Sequence, residues 1–445
     1  MIFSFLKYKS PIWYYNLRPK NDYAYFPTPE LLANSGFTGN LDTNYSSEEA
    51  QQRDLAFRAF QSGFIAKDQQ NGIDVWENVK LPIADEYRFM FKNYSKIWVL
   101  YILLIRLISL KNPFIELKGF LKAKGTKRIA HYHHHLNYPE FEPFESGLLQ
   151  SAPFISIIIP TLNRYEYLKE VLKDYQKQTY THFELVIIDQ SDDFNPSFYE
   201  NWGLNIKLIR QEEKALWKAR NQAIKNSTSD YILMSEDDVR IPENYIENHI
   251  KVLDFFGADA SCGVFFPEGS SIPKERSYFK YGEQFATGNA LVKKEVFRKV
   301  GLYDRQFEKQ RMGDGEFGLR AYLNGFKLVS NPLAYCVDVK APSGGLRMSG
   351  GSWDAWRPKK WNDPRPVPSV LYLSRKYFGS KRTLLFIATA IGPSIIPYQF
   401  KRNKLLKLLS LFLVPLLFPF LIYQVNKSWR LATQKLQEGA KIDQL

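Results

Sequence analysis

Residues 231–238 read Tyr-Ile-Leu-Met-Ser-Glu-Asp-Asp, an apolar run followed by a serine and an acidic triplet. The apolar run predicts a buried strand, and the acids come where that strand ends. Carboxylates two residues apart after a buried strand can share a hard divalent cation with the phosphates of a substrate. An acidic triplet is also common in solvated loops. The strand before it favours a metal site at Glu236 and Asp238.

The sequence around this stretch alternates short apolar runs with helical patterns between residues 154 and 347. We predict strands over 155–159, 183–188, 206–209 and 231–234, and helices over 166–178 and 216–226. This alternation is typical of an α/β protein with a parallel sheet.

Polar residues follow three of these predicted strands, as residues 160–164 (Pro-Thr-Leu-Asn-Arg), 189–193 (Asp-Gln-Ser-Asp-Asp) and 236–238. Ligands of an open parallel sheet bind at the carboxyl ends of its strands, so these residues are candidates for one site. Asp192 or Asp193 could equally be a simple turn residue.

A further acid, Asp314, lies in a Gly-Asp-Gly-Glu run that opens another helical pattern. A carboxylate there can be a helix-start acid that the helix dipole stabilises. It can equally be the base that removes a proton from an attacking hydroxyl.

These motifs and their order resemble the large family-2 group of inverting glycosyltransferases with the GT-A fold, over roughly residues 154–347. The resemblance implies a catalytic domain with a Rossmann-like, mostly parallel sheet, which we place at 151–360. It implies transfer of a sugar from a nucleotide-diphosphate sugar to an acceptor hydroxyl with inversion. Composition separates an N-terminal accessory region at 1–150 from a C-terminal helical region at 361–445.

The resemblance also implies the residues at the donor. Residues 160–164 resemble the nucleotide-binding first loop, which puts Pro160, Thr161 and Arg164 at the nucleotide. Asp189 matches the acid expected to contact the base or ribose, with Asp192 a weaker second. Residues 214–221 resemble the Gly-Leu-x-x-Ala-Arg-Asn element of the family.

That last element places Arg220 near the nucleotide-sugar. Glu236 and Asp238 stand at the metal-binding Asp-x-Asp motif, which implies Mg²⁺ or Mn²⁺, and Asp237 should face the donor sugar. Asp314 falls on the aspartate of the Glu-Asp motif on the acceptor side and is the expected general base.

Several positions depart from the family pattern. Glu236 replaces an aspartate and should still coordinate, with a shifted metal preference. Gly313 replaces the glutamate before the base, and Ala215 replaces a glycine. Asp338 follows the last core strand, where many relatives have a metal-binding histidine. It can be a third oxygen ligand or a solvent-facing acid on an edge strand. Residues 341–347 are expected to form a mobile lid whose Arg347 meets a phosphate.

The net charge of +14 is concentrated beside apolar segments. The uncharged run 408–425 contains Pro415 and Pro419 and has basic residues on both sides. This pattern favours a kinked interfacial or re-entrant helix pair on an anionic membrane surface, with a core helix as the alternative. The basic residues are not interleaved along a polar groove, which argues against nucleic-acid binding.

Two cysteines, Cys262 and Cys336, form neither a disulfide framework nor a zinc pattern, and we expect a reducing environment. The short apolar start before Lys7 does not predict a signal peptide. We therefore expect a peripheral or re-entrant protein on the cytoplasmic side of the cell membrane. It would modify a glycan or lipid-linked acceptor in surface polysaccharide or glycolipid synthesis.

Two other functions compete with this interpretation. A sugar-1-phosphate nucleotidyltransferase needs a glycine-rich loop after its first strand, and residues 160–164 contain no glycine. A catalytically inactive, membrane-associated carbohydrate-binding or scaffold protein would lack Glu236, Asp238 or Asp314, and all three are present.

Overall fold

The structure is a computed structural model. It describes residues 1–445 except 10–11, 21–24, 34, 36, 67–78, 343, 346–351, 398–399 and 401–402, and it describes only the backbone of 352–353, 404 and 407–412. Arg347, which we expected on the lid, therefore lies outside the described residues.

The described helices are α1 Trp13–Asn16, α2 Pro29–Ala33, α3 Glu48–Gln61, α4 Ile83–Asn93, α5 Lys96–Ile108, α6 Pro113–Ala123, α7 Gly147–Gln150, α8 Tyr165–Gln176, α9 Leu216–Asn226, α10 Tyr245–Phe255, α11 Lys294–Val300, α12 Gly313–Leu323, α13 Pro368–Ser394 and α14 Lys404–Glu438. The described strands are β1 Ile155–Thr161, β2 Phe183–Asp189, β3 Ile206–Arg210, β4 Tyr231–Met234, β5 Val239–Arg240, β6 Ala260–Pro267, β7 Lys280–Tyr281, β8 Ala290–Lys293 and β9 Leu328–Asp338.

The first of two compact units comprises Met1–Phe144 and Pro273–Glu283 and is built from helices α1 to α6. Helix α3 begins after Ser47, whose hydroxyl accepts a hydrogen bond from the Ala50 amide. The core of this unit is rich in aromatic rings, and the rings of Phe3 and Phe89 stack with centroids 3.8 Å apart. Much of the aromatic content in this part of the chain therefore fills a core.

The second unit comprises Glu145–Ile272 and Gln284–Leu445 and contains a mixed, mostly parallel sheet. Its described strands follow the order β3-β2-β1-β4-β8-β6-β9-β5. Strands β3, β2, β1 and β4 are mutually parallel, and β6 is parallel to β9. The predicted α/β class is confirmed. Strand β8 runs antiparallel to both of its neighbours, a direction that an apolar run in the sequence does not indicate.

The register of the parallel strands brings their polar ends to one level. Thr161 at the end of β1 lies opposite Asp189 at the end of β2. Ile158 lies opposite Met234, the last residue of β4, and the next amide, that of Ser235, donates to the Ile158 carbonyl. The chain after β4 therefore continues beside residues 160–164.

The C-terminal residues 361–445, which we expected as a separate region, belong to the same compact unit as the sheet. Helices α13 and α14 pack against each other, with a kink at Gly379 and with Pro415 and Pro419 inside α14. Beyond α14 the Asp443 carbonyl accepts from the Leu302 amide at 2.9 Å.

In the part of the chain that the structure describes, no helix has both the length and the apolar character needed to cross a bilayer.

Candidate active site

The acidic loop after β4 is held by the loop after β1. Asp237 and Asp238 are both buried, and the Arg164 guanidinium lies between them. Its Nη1 is 3.0 Å from Asp237 Oδ1 and 2.9 Å from Asp238 Oδ2. The Thr161 hydroxyl donates to the second Asp237 oxygen at 2.8 Å. A buried carboxylate is stable only when it is paired, so Arg164 and Thr161 are what hold this loop together.

The protonation of Asp237 is governed by this burial. Burial raises the pKa of its carboxyl, and the Arg164 charge and the Thr161 hydrogen bond oppose that rise. A positive charge beside this carboxyl therefore favours its ionised form.

Helix α9 supplies a second arginine. Arg220 is fully buried, its Nη2 lies 3.6 Å from Glu236 Oε1, and its Nη1 donates to the Ser235 carbonyl. A Cβ atom at Gly288 would lie 2.4 Å from Glu236 Cγ, so only glycine leaves room for this side chain. Gly288 was not among the expected site residues, because its contact with Glu236 spans 52 positions of sequence.

The Asp189 side chain holds neighbouring residues together through hydrogen bonds. Its carboxylate is completely buried and accepts hydrogen bonds from the hydroxyls of Tyr165 at 2.6 Å and Tyr199 at 2.8 Å. It also accepts from the Ser191 amide. A contact between Asp189 and a base or ribose stays a prediction, and it would require one of these partners to move.

Asp192 connects the loops after β1 and β2. It is exposed, and its carboxylate contacts Lys214 Nζ at 2.5 Å and accepts from the Asn163 side-chain amide at 2.9 Å. The Asp192 amide donates back to Asn163 Oδ1. Asn163 itself adopts a left-handed conformation with φ 54°, which asparagine tolerates better than most residues. These contacts fit the turn role that the sequence left open for Asp192.

Asp314 lies in the first turn of α12 and accepts a hydrogen bond from the Gly315 amide at 2.8 Å. The residue before it packs on helix α9, since a Cβ atom at Gly313 would lie 2.4 Å from Trp217 Cζ2. The missing glutamate of the family motif thus has a steric cause. One turn separates Trp217 from Arg220, so α9 links the start of α12 to the acidic loop.

Tyr303 lies near both helix α9 and the start of helix α12. Burial raises the pKa of its hydroxyl, and the charges of Arg220 and Asp314 both act on it. Its ring lies 5.2 Å from that of Trp217.

Glu308 fixes the end of α9 that faces α12. Its carboxylate accepts from the amides of Trp217 and Lys218 and so caps the helix. Sequence reasoning missed both residues, because Trp217 falls on an unspecified position of the 214–221 element and Glu308 lies in no motif.

Asp338 lies next to the acidic loop, opposite Val239 on the neighbouring strand. Its Oδ1 accepts from the Lys340 amide at 3.1 Å, and the Val339 amide donates to the Asp238 carbonyl. Among the residues that the structure describes, no three histidine, cysteine or acidic side chains are grouped to hold a metal ion. The metal roles of Glu236, Asp238 and Asp338 therefore stay predictions.

The described part of the expected lid lies on the first loop. The Gly345 amide donates to the Leu162 carbonyl at 2.8 Å, and a Cβ atom at Gly345 would lie 2.5 Å from Arg164 Cζ. Between this segment, Arg220 and Glu236 remains a cleft of about 30 Å³, room for about one water molecule. A nucleotide-sugar cannot enter this cleft unless the covering residues move.

The contact between Gly313 and Trp217 yields a prediction. We expect Gly313→Ala to lower the free energy of unfolding by about 1–3 kcal/mol, because the new methyl group overlaps the indole. The matched control is Gly315→Ala in the same turn, whose Cβ would meet only Met312 Cε at 3.8 Å. This control should be neutral or stabilising by up to about 1 kcal/mol. Urea unfolding measures both variants, and equal effects would show that the contact does not constrain α12.

Comparison with known proteins finds a family that is similar to part of this chain. The family described as Glycosyl transferase family 2 matches residues 156–309. The matched span contains all of the expected donor residues and the acidic loop, and it ends before Asp314 and Asp338.

Individual relatives are similar over the same part of the chain. Glycosyltransferase GlyA of Streptococcus pneumoniae is 27% identical over 163 residues, which is 36% of this chain and 22% of the relative. An uncharacterised glycosyltransferase of Rickettsia typhi is 28% identical over 177 residues, 35% of this chain and 55% of the relative. The structure of S. aureus TarS 1-349 in complex with UDP-GlcNAc aligns with 64% of this chain and 92% of that chain, at 17% identity and a TM-score of 0.39.

The chain spans less than two thirds of the length of these curated relatives. The family match is nevertheless consistent with the mixed α/β sheet and with the order of the polar strand ends. Residues 156–309 of this chain therefore match glycosyl transferase family 2, and the relatives that are similar over this part of the chain are glycosyltransferases.

Proposed function

We propose that this chain transfers a sugar from a nucleotide-diphosphate sugar to an acceptor hydroxyl with inversion. The observation that carries the proposal is the Arg164 guanidinium, which lies between the buried carboxylates of Asp237 and Asp238. These residues follow strands β1 and β4 in the part of the chain that matches family 2. Two buried acids that already stabilise the positive charge of Arg164 can also stabilise a divalent cation bound to the diphosphate of a donor.

The transfer requires one base. Asp314 would take the proton from the acceptor hydroxyl while the acceptor oxygen forms a bond to the anomeric carbon. The bond between that carbon and the diphosphate oxygen breaks on the opposite face, and the nucleoside diphosphate leaves with the electron pair. One displacement of this kind inverts the configuration.

The arginines and acids of the site have separate tasks. Arg220 and Arg164 would lie along the diphosphate, where their charges stabilise the leaving group. Glu236 and Asp238 offer the hard oxygen ligands that Mg²⁺ or Mn²⁺ prefers. A bound metal would supply further positive charge beside the departing diphosphate.

Donor binding would begin with an opening of the site. The Gly344–Gly345 segment and the Arg164 side chain close the cleft, and both glycines have positive φ values of 71° and 77°. A donor and its cation would displace this segment and take over the charge that Arg164 now balances. Residues 341–347 would then act as the lid.

A substitution of the base tests the mechanism. We expect Asp314→Asn to reduce transfer about a hundredfold or more while donor binding is retained, because the amide cannot accept the proton. Nucleoside diphosphate release with a panel of oligosaccharide acceptors measures transfer. Glu295→Gln, which changes an exposed acid on α11, is the control. Near-normal transfer in the Asn variant would remove Asp314 from the mechanism.

A thermal screen of nucleotide-sugars with and without Mn²⁺ tests the donor site. A true donor at about a hundredfold its Kd should stabilise the protein by about 2.7 kcal/mol. The gain should require the metal and vanish in Glu236→Gln/Asp238→Asn. It should persist in Asp193→Asn, an exposed acid in the neighbouring loop. A folded protein that no nucleotide-sugar stabilises would support the inactive carbohydrate-binding or scaffold alternative.

We also propose that the chain works at the cytoplasmic side of the cell membrane, on a glycan or lipid-linked acceptor of surface polysaccharide or glycolipid synthesis. Helix α14 exposes Leu416, Phe418 and Phe420, a concentration of apolar surface that suits a lipid interface. Lys427 and the exposed Arg430 follow them and would lie near anionic headgroups.

Membrane fractionation tests this location. The full chain should pellet with membranes at low salt, and Leu416→Ser/Phe418→Ser/Phe420→Ser should shift it to the supernatant, because less apolar surface reaches the bilayer. Leu333→Ser, at an exposed leucine on β9, is the control. A wild-type protein that stays entirely in the supernatant would contradict the membrane location and leave the donor-site proposal untouched.

A further inference from the structure

Helices α5 and α6 form a hairpin in the first unit whose apolar side chains point to solvent. Six of them define what we call the hairpin face: Ile97, Leu100, Leu104 and Ile108 on α5, and Phe114 and Leu121 on α6. Ile97 is 77% exposed and Phe114 is 82% exposed, whereas such residues are normally core residues. Their spacing places each set along one side of its helix.

The opposite sides of the two helices are fixed by a buried ion pair. Arg106 on α5 donates to both oxygens of Glu116 on α6, at 2.7 Å and 2.5 Å. The Tyr87 hydroxyl of α4 donates to the same carboxylate at 2.8 Å. A Cβ atom at Gly119 would lie 2.9 Å from Ile83 Cγ2, so α6 sits directly on α4.

This arrangement explains why the apolar face cannot turn inward. Rotating either helix would break the buried Arg106–Glu116 pair and leave a charge buried without its partner. The outward position of the hairpin face is therefore built into the unit. The turn between the helices exposes Leu110 almost completely, at 94%.

The charges around the hairpin face all have one sign. Residues 96–128 are all described, and Glu116 is their only acid, buried against Arg106. Apart from the buried pair of Arg106 and Glu116, every charged side chain of this segment is a solvent-exposed cation: Lys96, Lys111, Lys118, Lys122, Lys124, Lys127 and Arg128. An exposed apolar stripe whose own helices and turn carry only exposed cations matches an anionic bilayer, which offers hydrocarbon below and negative headgroups around it.

A second copy of the chain fits this face less well. A symmetric dimer would place the same patch against itself and bring two sets of lysines together. No exposed acid within residues 96–128 would balance them.

We propose that the hairpin face binds the surface of an anionic bilayer, with Leu110 and Phe114 inserted among the lipids and the lysines at the headgroups. This site extends the membrane partner of the proposed function to the first unit. It involves residues other than those of α14, and it does not depend on transferase activity.

A fluorescent label at the turn tests the proposal directly. Leu110→Cys labelled with the environment-sensitive dye NBD reports on that position alone, because Cys262 and Cys336 are buried. With vesicles of equal parts phosphatidylcholine and phosphatidylglycerol, we expect a blue shift and a severalfold rise in emission. Pure phosphatidylcholine vesicles should produce neither. The control is Leu41→Cys, an exposed leucine of the same unit.

Charge substitution provides the second measurement. Lys118→Gln/Lys122→Gln should weaken vesicle binding by roughly tenfold or more, since each lysine near an anionic surface contributes roughly fivefold. Both side chains are exposed, so the fold should be unaffected. Unchanged binding in this variant would overturn the electrostatic part of the proposal.

The remaining outcomes separate this proposal from the proposed function. Vesicle binding without a spectral change at position 110 would overturn the hairpin face and leave α14 as the membrane contact. A spectral change that grows with protein concentration in the absence of vesicles would show that a second copy covers the face, and would also overturn it. Stabilisation of the same protein by a nucleotide-sugar tests the donor site independently of either result.

Discussion

The candidate site depends on one interaction, the bridge that the Arg164 guanidinium makes between the buried carboxylates of Asp237 and Asp238. Charges of one sign cannot be buried side by side without a cation near them. The parallel register of β1 and β4 meets this need, because it sets the loop that carries Arg164 beside the loop that carries the acids. The same geometry that stabilises the buried acids makes the site suitable for a charged donor.

Helix α9 connects the acidic loop to the start of helix α12, where the proposed base lies. Arg220 reaches Glu236, and one turn earlier Trp217 packs on Gly313 at the start of α12. Glu308 caps α9 at that end. The proposed base, Asp314, is therefore positioned through the same helix that contacts the acidic loop, and a shift of α9 would affect both halves of the reaction together.

Much of the sheet could be predicted because its signals are local. Strands β1 to β4 lie where the apolar runs predicted them, and α9 has the predicted bounds 216–226.

The partners of the site residues could not be predicted. The family resemblance implied a nucleotide contact for Arg164 and Asp189, but it did not indicate that Arg164 contacts two acids and that Asp189 accepts from two tyrosines. These pairings depend on contacts between distant segments, which periodicity does not carry. The solvent-facing side of α5 could not be predicted either, because an apolar run does not indicate which of its side chains are exposed.

The most direct test of this account measures Mn²⁺ binding by electron paramagnetic resonance of the free ion, in the wild type and in Arg164→Met. Arg210→Met, which removes an arginine that contacts backbone carbonyls of the neighbouring loop, is the control. If Arg164 holds the place of a cation, the Met variant should bind Mn²⁺ more tightly than the wild type without nucleotide. A nucleoside diphosphate should reduce the difference by drawing the metal into the wild-type site. A folded Met variant that binds Mn²⁺ no more tightly than the wild type, with or without nucleoside diphosphate, would contradict the account.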